Sequence, residues 1–172
     1  EIIMKYILLI SITTLFFSCK NTEKASKETT TKSVIEEPIK SPEVLKEALF
    51  LSMERTPCFG KCATYKITIF NTGNVVYEGY TNTTYIGKYE KKLTKEELND
   101  IQKMMDDIKI LEMKDVYDSE ATDFPSTILY LVSNNKHKKK ILDRVDAPSE
   151  LKKFEKLIDF YVLNDELKQI SK

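Results

Sequence analysis

The sequence is short of the residues from which most recognisable catalytic machinery is built. It holds one histidine, His137, so a nucleophile–base–orienter set of the hydrolase kind lacks material. Its four glycines form no Gly-rich phosphate loop, and no segment repeats. An excess of either charge is missing too, since 27 Lys and Arg residues face 27 Asp and Glu residues. Nucleic-acid binding is driven by concentrated positive charge, so this balance argues against nucleic acid as a partner. A long apolar run at the N-terminus is also lacking. Ile7 to Phe17 is interrupted by Ser11, Thr13 and Thr14, whereas a bilayer-spanning helix needs about 20 apolar residues.

What is present at the N-terminus has the order of an export signal. Lys5 supplies a basic start, Ile7 to Phe17 an apolar core, and Ser18 a small residue before Cys19. Met4 followed by Lys5 reads as the true start, with Glu1 to Ile3 as an upstream extension. Leu15-Phe16-Phe17-Ser18-Cys19 resembles the lipobox of bacterial lipoproteins, with Phe16 where an aliphatic residue is usual. This makes residues 1–18 a lipoprotein signal peptide and Cys19 the site of lipidation. The competing reading is an ordinary secretory signal whose cysteine is incidental. Acyl chains on Cys19 would tether the chain to a membrane, because each buried methylene contributes about 0.8 kcal/mol. The expected location is the bacterial cell envelope, on the periplasmic or surface face of the outer membrane. Removing residues 1–18 takes away one acid, Glu1, and one base, Lys5, and keeps the charge balanced. Residues 19–47 then form a lipidated N-terminus and flexible linker. From Lys20 to Glu47 the chain is rich in Lys, Glu, Ser and Thr, contains Pro38 and Pro42, and has no aromatic residue. It cannot bury enough apolar surface to offset the entropy of ordering its backbone.

Residues 48–170 have the size of one globular domain. Leu49, Leu51 and Met53 alternate on one face of a first strand, and Tyr65, Ile67 and Ile69 alternate with Lys66 and Thr68. Asn71-Thr72-Gly73-Asn74 is a turn cluster, after which Val75 to Tyr80 returns as the second arm of a hairpin. Tyr85 to Leu93 reads as a further strand. At Thr94 the period changes: Thr94 with Glu97 forms a capping box, followed by Leu98, Ile101, Met104 or Met105, Ile108 and Leu111 at helical spacing. Residues 126–133 and 137–145 read as a second hairpin turning at Asn134-Asn135. Pro148 opens a final helix with Leu151, Phe154, Leu157 or Ile158 and Tyr161 on one side. The expected fold is α+β, an antiparallel sheet of five to six strands with two amphipathic helices packed on one face.

The local motif with chemical potential is Thr56-Pro57-Cys58-Phe59-Gly60-Lys61-Cys62. An extended strand would separate the two cysteines by roughly 13 Å, too far for a disulfide. Pro57 and Gly60 suggest a tight turn that brings them together. In an oxidising compartment a structural disulfide is the first reading. The second is redox or copper chemistry, because two thiolates and an imidazole suit reduced copper. The spacing is similar to the Cys-x-x-x-Cys loop of thioredoxin-like copper chaperones, and His137 would supply a third ligand if the second hairpin packs nearby. Glu112, Asp115, Asp118, Glu120 and Asp123 lack the spacing that wraps calcium and read as a solvated loop. Lys136 to Lys140 reads as a solvated strand face.

Arg55-Thr56-Pro57-Cys58-Phe59-Gly60-Lys61-Cys62, with Tyr65 and the Gly73 hairpin, resembles a bacterial family known as domain of unknown function 6438. Thr122-Asp123-Phe124-Pro125, Ala147-Pro148, Leu151 and Ile158-Asp159 match later landmarks of that family. The resemblance covers about residues 48–162, with Ala63 where the family usually carries a proline. It implies a lipoprotein or secreted setting and brings no activity, substrate or cofactor. The reading that results is a lipid-anchored cell-envelope protein, a non-enzymatic module that contacts an envelope protein or a small ligand. No catalytic residue, metal site or cofactor is assigned. The alternative is a thiol-redox or copper-handling protein that uses Cys58 and Cys62.

Overall fold

Alternation with a period of two organises the sheet. In a computed structural model, which describes residues 46–118, 123–133 and 137–171, Leu51 and Met53 of β1 (Leu49–Arg55) are fully buried. Ile67 and Ile69 of β2 (Thr64–Phe70) and Val75 and Tyr77 of β3 (Asn74–Thr81) continue the same inner face. The described residues lie in the unit Pro42–Lys172. The export signal, Cys19, most of the linker, Glu120, Thr122 and the Asn134-Asn135 turn fall outside them.

The remaining strands are β4 (Gly87–Lys92), β5 (Val116–Tyr117), β6 (Thr127–Ser133), β7 (His137–Asp143) and β8 (Lys168–Ser171). They form one sheet in the order β5-β7-β6-β1-β2-β3-β4-β8. The β1–β2, β2–β3, β3–β4 and β6–β7 pairs join chain neighbours, and all are antiparallel. The β1–β6 pair, also antiparallel, stitches the two hairpin systems together.

The α+β class holds, and two expectations about the sheet do not. It has eight strands instead of five or six, and it is mixed because β5 runs parallel to β7. Both extra strands are too short to show an alternation. Val116 and Tyr117 sit in what reads as an acidic loop, yet the backbone ties them down: Leu142 N–H donates to the Asp115 carbonyl at 2.8 Å and Arg144 N–H to the Tyr117 carbonyl at 2.9 Å. β8 pairs with β4 and covers an edge that would otherwise present unpaired backbone groups.

α1 (Lys95–Asp107) begins as its capping box requires. Thr94 Oγ1 accepts from Glu97 N–H at 3.2 Å, and the Glu97 carboxylate accepts from Thr94 N–H at 2.7 Å. Of the two candidate methionines, Met105 is the buried one. The expected stripe ends before Leu111, because Lys109 adopts a left-handed φ of 50° and the chain tightens into a 3₁₀ turn, Ile110–Glu112. That turn buries Ile110 and leaves Leu111 exposed. α2 (Ser149–Leu163) follows Pro148, its N-cap residue, and buries Leu151, Phe154, Ile158 and Val162. Both helices bury their stripes in the same core as the inner face of the sheet.

Gly79 marks the tightest backbone approach. A Cβ there would lie 1.7 Å from the Tyr85 carbonyl oxygen and 2.9 Å from the Tyr77 ring. Tyr77 anchors a tyrosine cluster, stacked on Tyr65 at 5.5 Å and edge-on to Tyr85 and Tyr89 at 6.2 and 6.3 Å. Gly79→Ala is therefore expected to cost about 3 kcal/mol or more, because the Tyr85 backbone and the Tyr77 ring must shift. Gly60→Ala, whose added Cβ meets nothing nearer than the Cys58 sulfur at 3.7 Å, is expected to be close to neutral. Urea unfolding of the two variants beside the parent checks this pair.

Candidate functional site

Strand register sets a polar row across the inner face at one end of the sheet. Asp143 pairs with Thr127, Thr127 with Arg55, and Arg55 with Tyr65. Each lies two residues beyond or before a core aliphatic on its own strand, so period two aims them all at the helices. α2 answers with Lys152, Glu155 and Asp159, spaced to share one helix face.

The two sets interlock around the Arg55 guanidinium. Nη1 donates to Thr127 Oγ1 at 2.7 Å and to Glu155 Oε2 at 3.0 Å, and Nη2 donates to Asp159 Oδ2 at 2.7 Å. Nε donates to the Tyr65 hydroxyl at 3.3 Å, which in turn donates to Asp159 Oδ1 at 2.7 Å. Thr127 Oγ1 donates to Glu155 Oε2 at 3.1 Å. Burial opposes the Arg55 charge, but Asp159, Tyr65 and Glu155 more than offset it and hold its pKa above the ordinary value. Burial and the Asp159 carboxylate likewise push the Tyr65 hydroxyl up.

Glu155 and Asp143 are both buried, at 2% and 1% exposure. No N–H or hydroxyl hydrogen bond reaches Glu155 Oε1 or either Asp143 oxygen, although the Lys152 ammonium pairs with Asp143 Oδ2. Burial pushes the Glu155 carboxyl up to about 7, Arg55 opposes the rise, and the neighbouring Asp143 carboxyl adds to it.

Above this network lies a pocket of about 460 Å³, whose lining includes Arg55, Asp143, Arg144 and Lys152 together with Cys62 and Phe124. Arg144 is braced by Nε donating to Ser126 Oγ at 3.0 Å and Nη1 pairing with Asp118 at 3.1 Å. A larger groove of about 660 Å³, lined in part by Glu90, Lys91, Lys92 and Lys168, has no buried polar residue among its described lining. The smaller pocket is the one with a built floor.

Cys58 and Cys62 form a disulfide with their Cα atoms 5.8 Å apart. The loop it closes is latched to the start of β6: Thr56 N–H donates to the Ser126 carbonyl at 2.9 Å, and Ser126 N–H donates to Thr56 Oγ1 at 2.8 Å. It presents Phe59 to solvent, 94% exposed. The copper arrangement loses its third ligand. His137 pairs with Ser133, six residues along β7 from Asp143, so it stands roughly 20 Å from the row beside Cys62. Among the described residues no group of three or more His, Cys, Asp or Glu side chains is placed to hold a metal. The acidic loop is tied rather than only solvated, since Asp115 pairs with Lys139 and Asp118 with Arg144. Through Lys139, the lysine run likewise holds this loop.

Motif reading brought out Arg55, the cysteine pair, Phe124-Pro125 and Asp159, but it missed the network that joins them. A signal was available in the pattern. Arg55 follows Met53 at strand period, Asp143 follows Ile141, and Glu155 sits within the Leu151, Phe154, Ile158 stripe, so three charges occupy apolar faces.

Two outcomes are expected. Arg55→Ala strands Glu155 and Asp159 and is expected to cost about 3–5 kcal/mol in chemical unfolding. The second is a pH dependence. The Glu155 pKa rises on folding from 4.5 to about 7, so the folded state holds a proton that the unfolded state has released. Its contribution is complete below about pH 4.5 and is lost as pH rises through 7, with a slope of at most about 1.4 kcal/mol per pH unit. Glu155→Gln is expected to flatten that slope when urea midpoints are compared between pH 5 and pH 8.

No curated protein matches this chain. The family model described as a domain of unknown function matches residues 49–162, a span that holds the Cys58–Cys62 loop and every residue of the Arg55 network. The chain belongs to that family, domain of unknown function 6438.

Proposed function

We propose that the chain is a lipid-anchored binding module of the cell envelope, tethered through Cys19, with the pocket beside the disulfide loop as its recognition site. The carrying observation is the construction of that pocket. Its floor is held by cross-strand and helix contacts on Arg55, and its wall by the Thr56–Ser126 latch and the Cys58–Cys62 bond. Such bracing lowers the ordering cost of binding, which favours recognition of a ligand by a preformed surface. The tether reading rests on the lipobox and on the composition of residues 20–47. Among the described residues no helix is long and apolar enough to cross a membrane.

A thiol-redox role is the second reading, and Cys62 lining the pocket favours it. The two differ in what the disulfide is for. A structural staple over so short a loop contributes about 2 kcal/mol by the loop-entropy model. On the binding reading, the Cys58→Ser/Cys62→Ser double variant loses about that much stability and still captures a partner. On the redox reading it keeps its melting temperature and loses thiol exchange.

The test is made in cells of the source organism. The native protein is expected to take up an acyl label, and Cys19→Ser is expected to lose both label and membrane association. A photo-cross-linking residue in place of Phe124 is expected to capture an envelope component. Unlabelled protein, or turnover of the disulfide with an envelope thiol, would overturn the respective half of the reading.

A further inference from the structure

The pocket beside the disulfide loop has more hydrogen-bond donors than acceptors left for a ligand. Arg55 uses Nε, both Nη1 contacts and one contact from Nη2, which leaves one Nη2 N–H with no described acceptor. Arg144 uses Nε and Nη1, and no described residue accepts from its Nη2. The Lys152 side chain is 43% exposed, and its ammonium pairs with Asp143 alone among the described residues. Asp143, the carboxylate in the lining, is buried and paired with Lys152. An entering group therefore meets N–H donors on two guanidinium groups and one ammonium, and little that accepts.

The lining also has apolar members, namely Phe124, Pro125, Ala63 and the Cys62 end of the disulfide. Phe124 is 55% exposed, so its ring is available for contact. Positively charged donors and apolar side chains in one lining match a ligand with an acceptor-rich anionic head and an apolar body. A guanidinium held in place by its own partners suits a planar or tetrahedral oxyanion, because its fork geometry is already set.

Resting on the binding-module reading, we propose that the pocket takes a small organic oxyanion, a carboxylate or phosphate joined to an apolar group. Arg144 and Lys152 are its charge partners, with the Arg55 Nη2 edge beneath them. Phe124 and Pro125 cover the apolar part. The ligand enters from the side of the disulfide loop, where Cys62 forms part of the rim. Glu155, which is not part of the lining, keeps Arg55 in position, and Asp143 does the same for Lys152.

The probes are phenylacetate, phenyl phosphate, benzyl alcohol and benzylamine, titrated into the full chain in detergent at one fixed ionic strength. Calorimetry gives the affinities, and thermal unfolding in the presence of each probe gives an independent reading. At least one anion is expected to bind within about 10 mM, with benzyl alcohol about tenfold weaker. The order of the two anions separates a carboxylate ligand from a phosphorylated one. Arg144→Gln is expected to weaken the anion by about fivefold or more, and Phe124→Ala to weaken it while reducing discrimination between aromatic and aliphatic carboxylates. Melting temperatures near the parent's show that both variants fold.

Equal affinity for the neutral, cationic and anionic probes would overturn the oxyanion class and leave the pocket as a recognition site. Anion binding unchanged by Arg144→Gln would overturn the assignment of the site. If no probe of any charge binds while cross-linking from position 124 still captures an envelope component, the small oxyanion is ruled out and the binding module stands. If both fail, the binding reading fails with it.

Discussion

The buried edge of the Arg55 guanidinium is the constraint on which this end of the molecule depends. A cation on the inner face of a sheet has lost much of its water and must be surrounded by groups that replace it. Thr127 from β6, Tyr65 from β2, and Glu155 and Asp159 from α2 do so together. The result ties three adjacent strands and a helix through one side chain. Burial of that charge explains why the helix carries two carboxylates on its core face, and why a tyrosine and a threonine replace aliphatics in the last inner row.

The same network determines the shape of the pocket. Once Arg55 is held by Glu155 and Asp159, the buried Asp143 carboxylate beside Glu155 is left to pair with the Lys152 ammonium. Lys152 is thereby drawn to the rim, and Arg144, the next residue after Asp143, is drawn there by Asp118 and Ser126. The cationic wall is thus a consequence of the buried one, since each charge recruits the next. The disulfide and the Thr56–Ser126 latch hold other parts of the same lining. Binding and redox readings share this geometry and differ only in whether Cys62 is part of a frame or a reactant.

The rest of the sheet is built for support. The tyrosine cluster around Tyr77 fills the space beneath Gly79, where the approach of the Tyr85 backbone forbids a side chain. β8 and β5 close the two edges of the sheet, each too short to add much core but long enough to pair exposed backbone.

How far the sequence could be read follows from the range over which each signal acts. Strands β1, β2, β3, β6 and β7, the capping box at Thr94 and the Pro148 helix start are legible because alternation, helical spacing and capping are local, decided by residues a few positions apart. The end of α1 was less legible, since the left-handed turn at Lys109 leaves no clear mark in the residue pattern. β5 and β8 were hidden because two and four residues carry no period, and what makes them strands is a neighbour elsewhere in the chain. The cysteine loop was visible as a motif, but His137 as its companion was not testable until β7 had a direction. By itself the sequence determined the α+β class, most element boundaries and the presence of charges on apolar faces. Only the tertiary structure decided that Arg55, Tyr65, Thr127, Asp143, Glu155 and Asp159 meet, because the strand order β7-β6-β1-β2 and the placement of α2 are set by burial of the whole core. Local periodicity carries no information about which distant strands lie side by side.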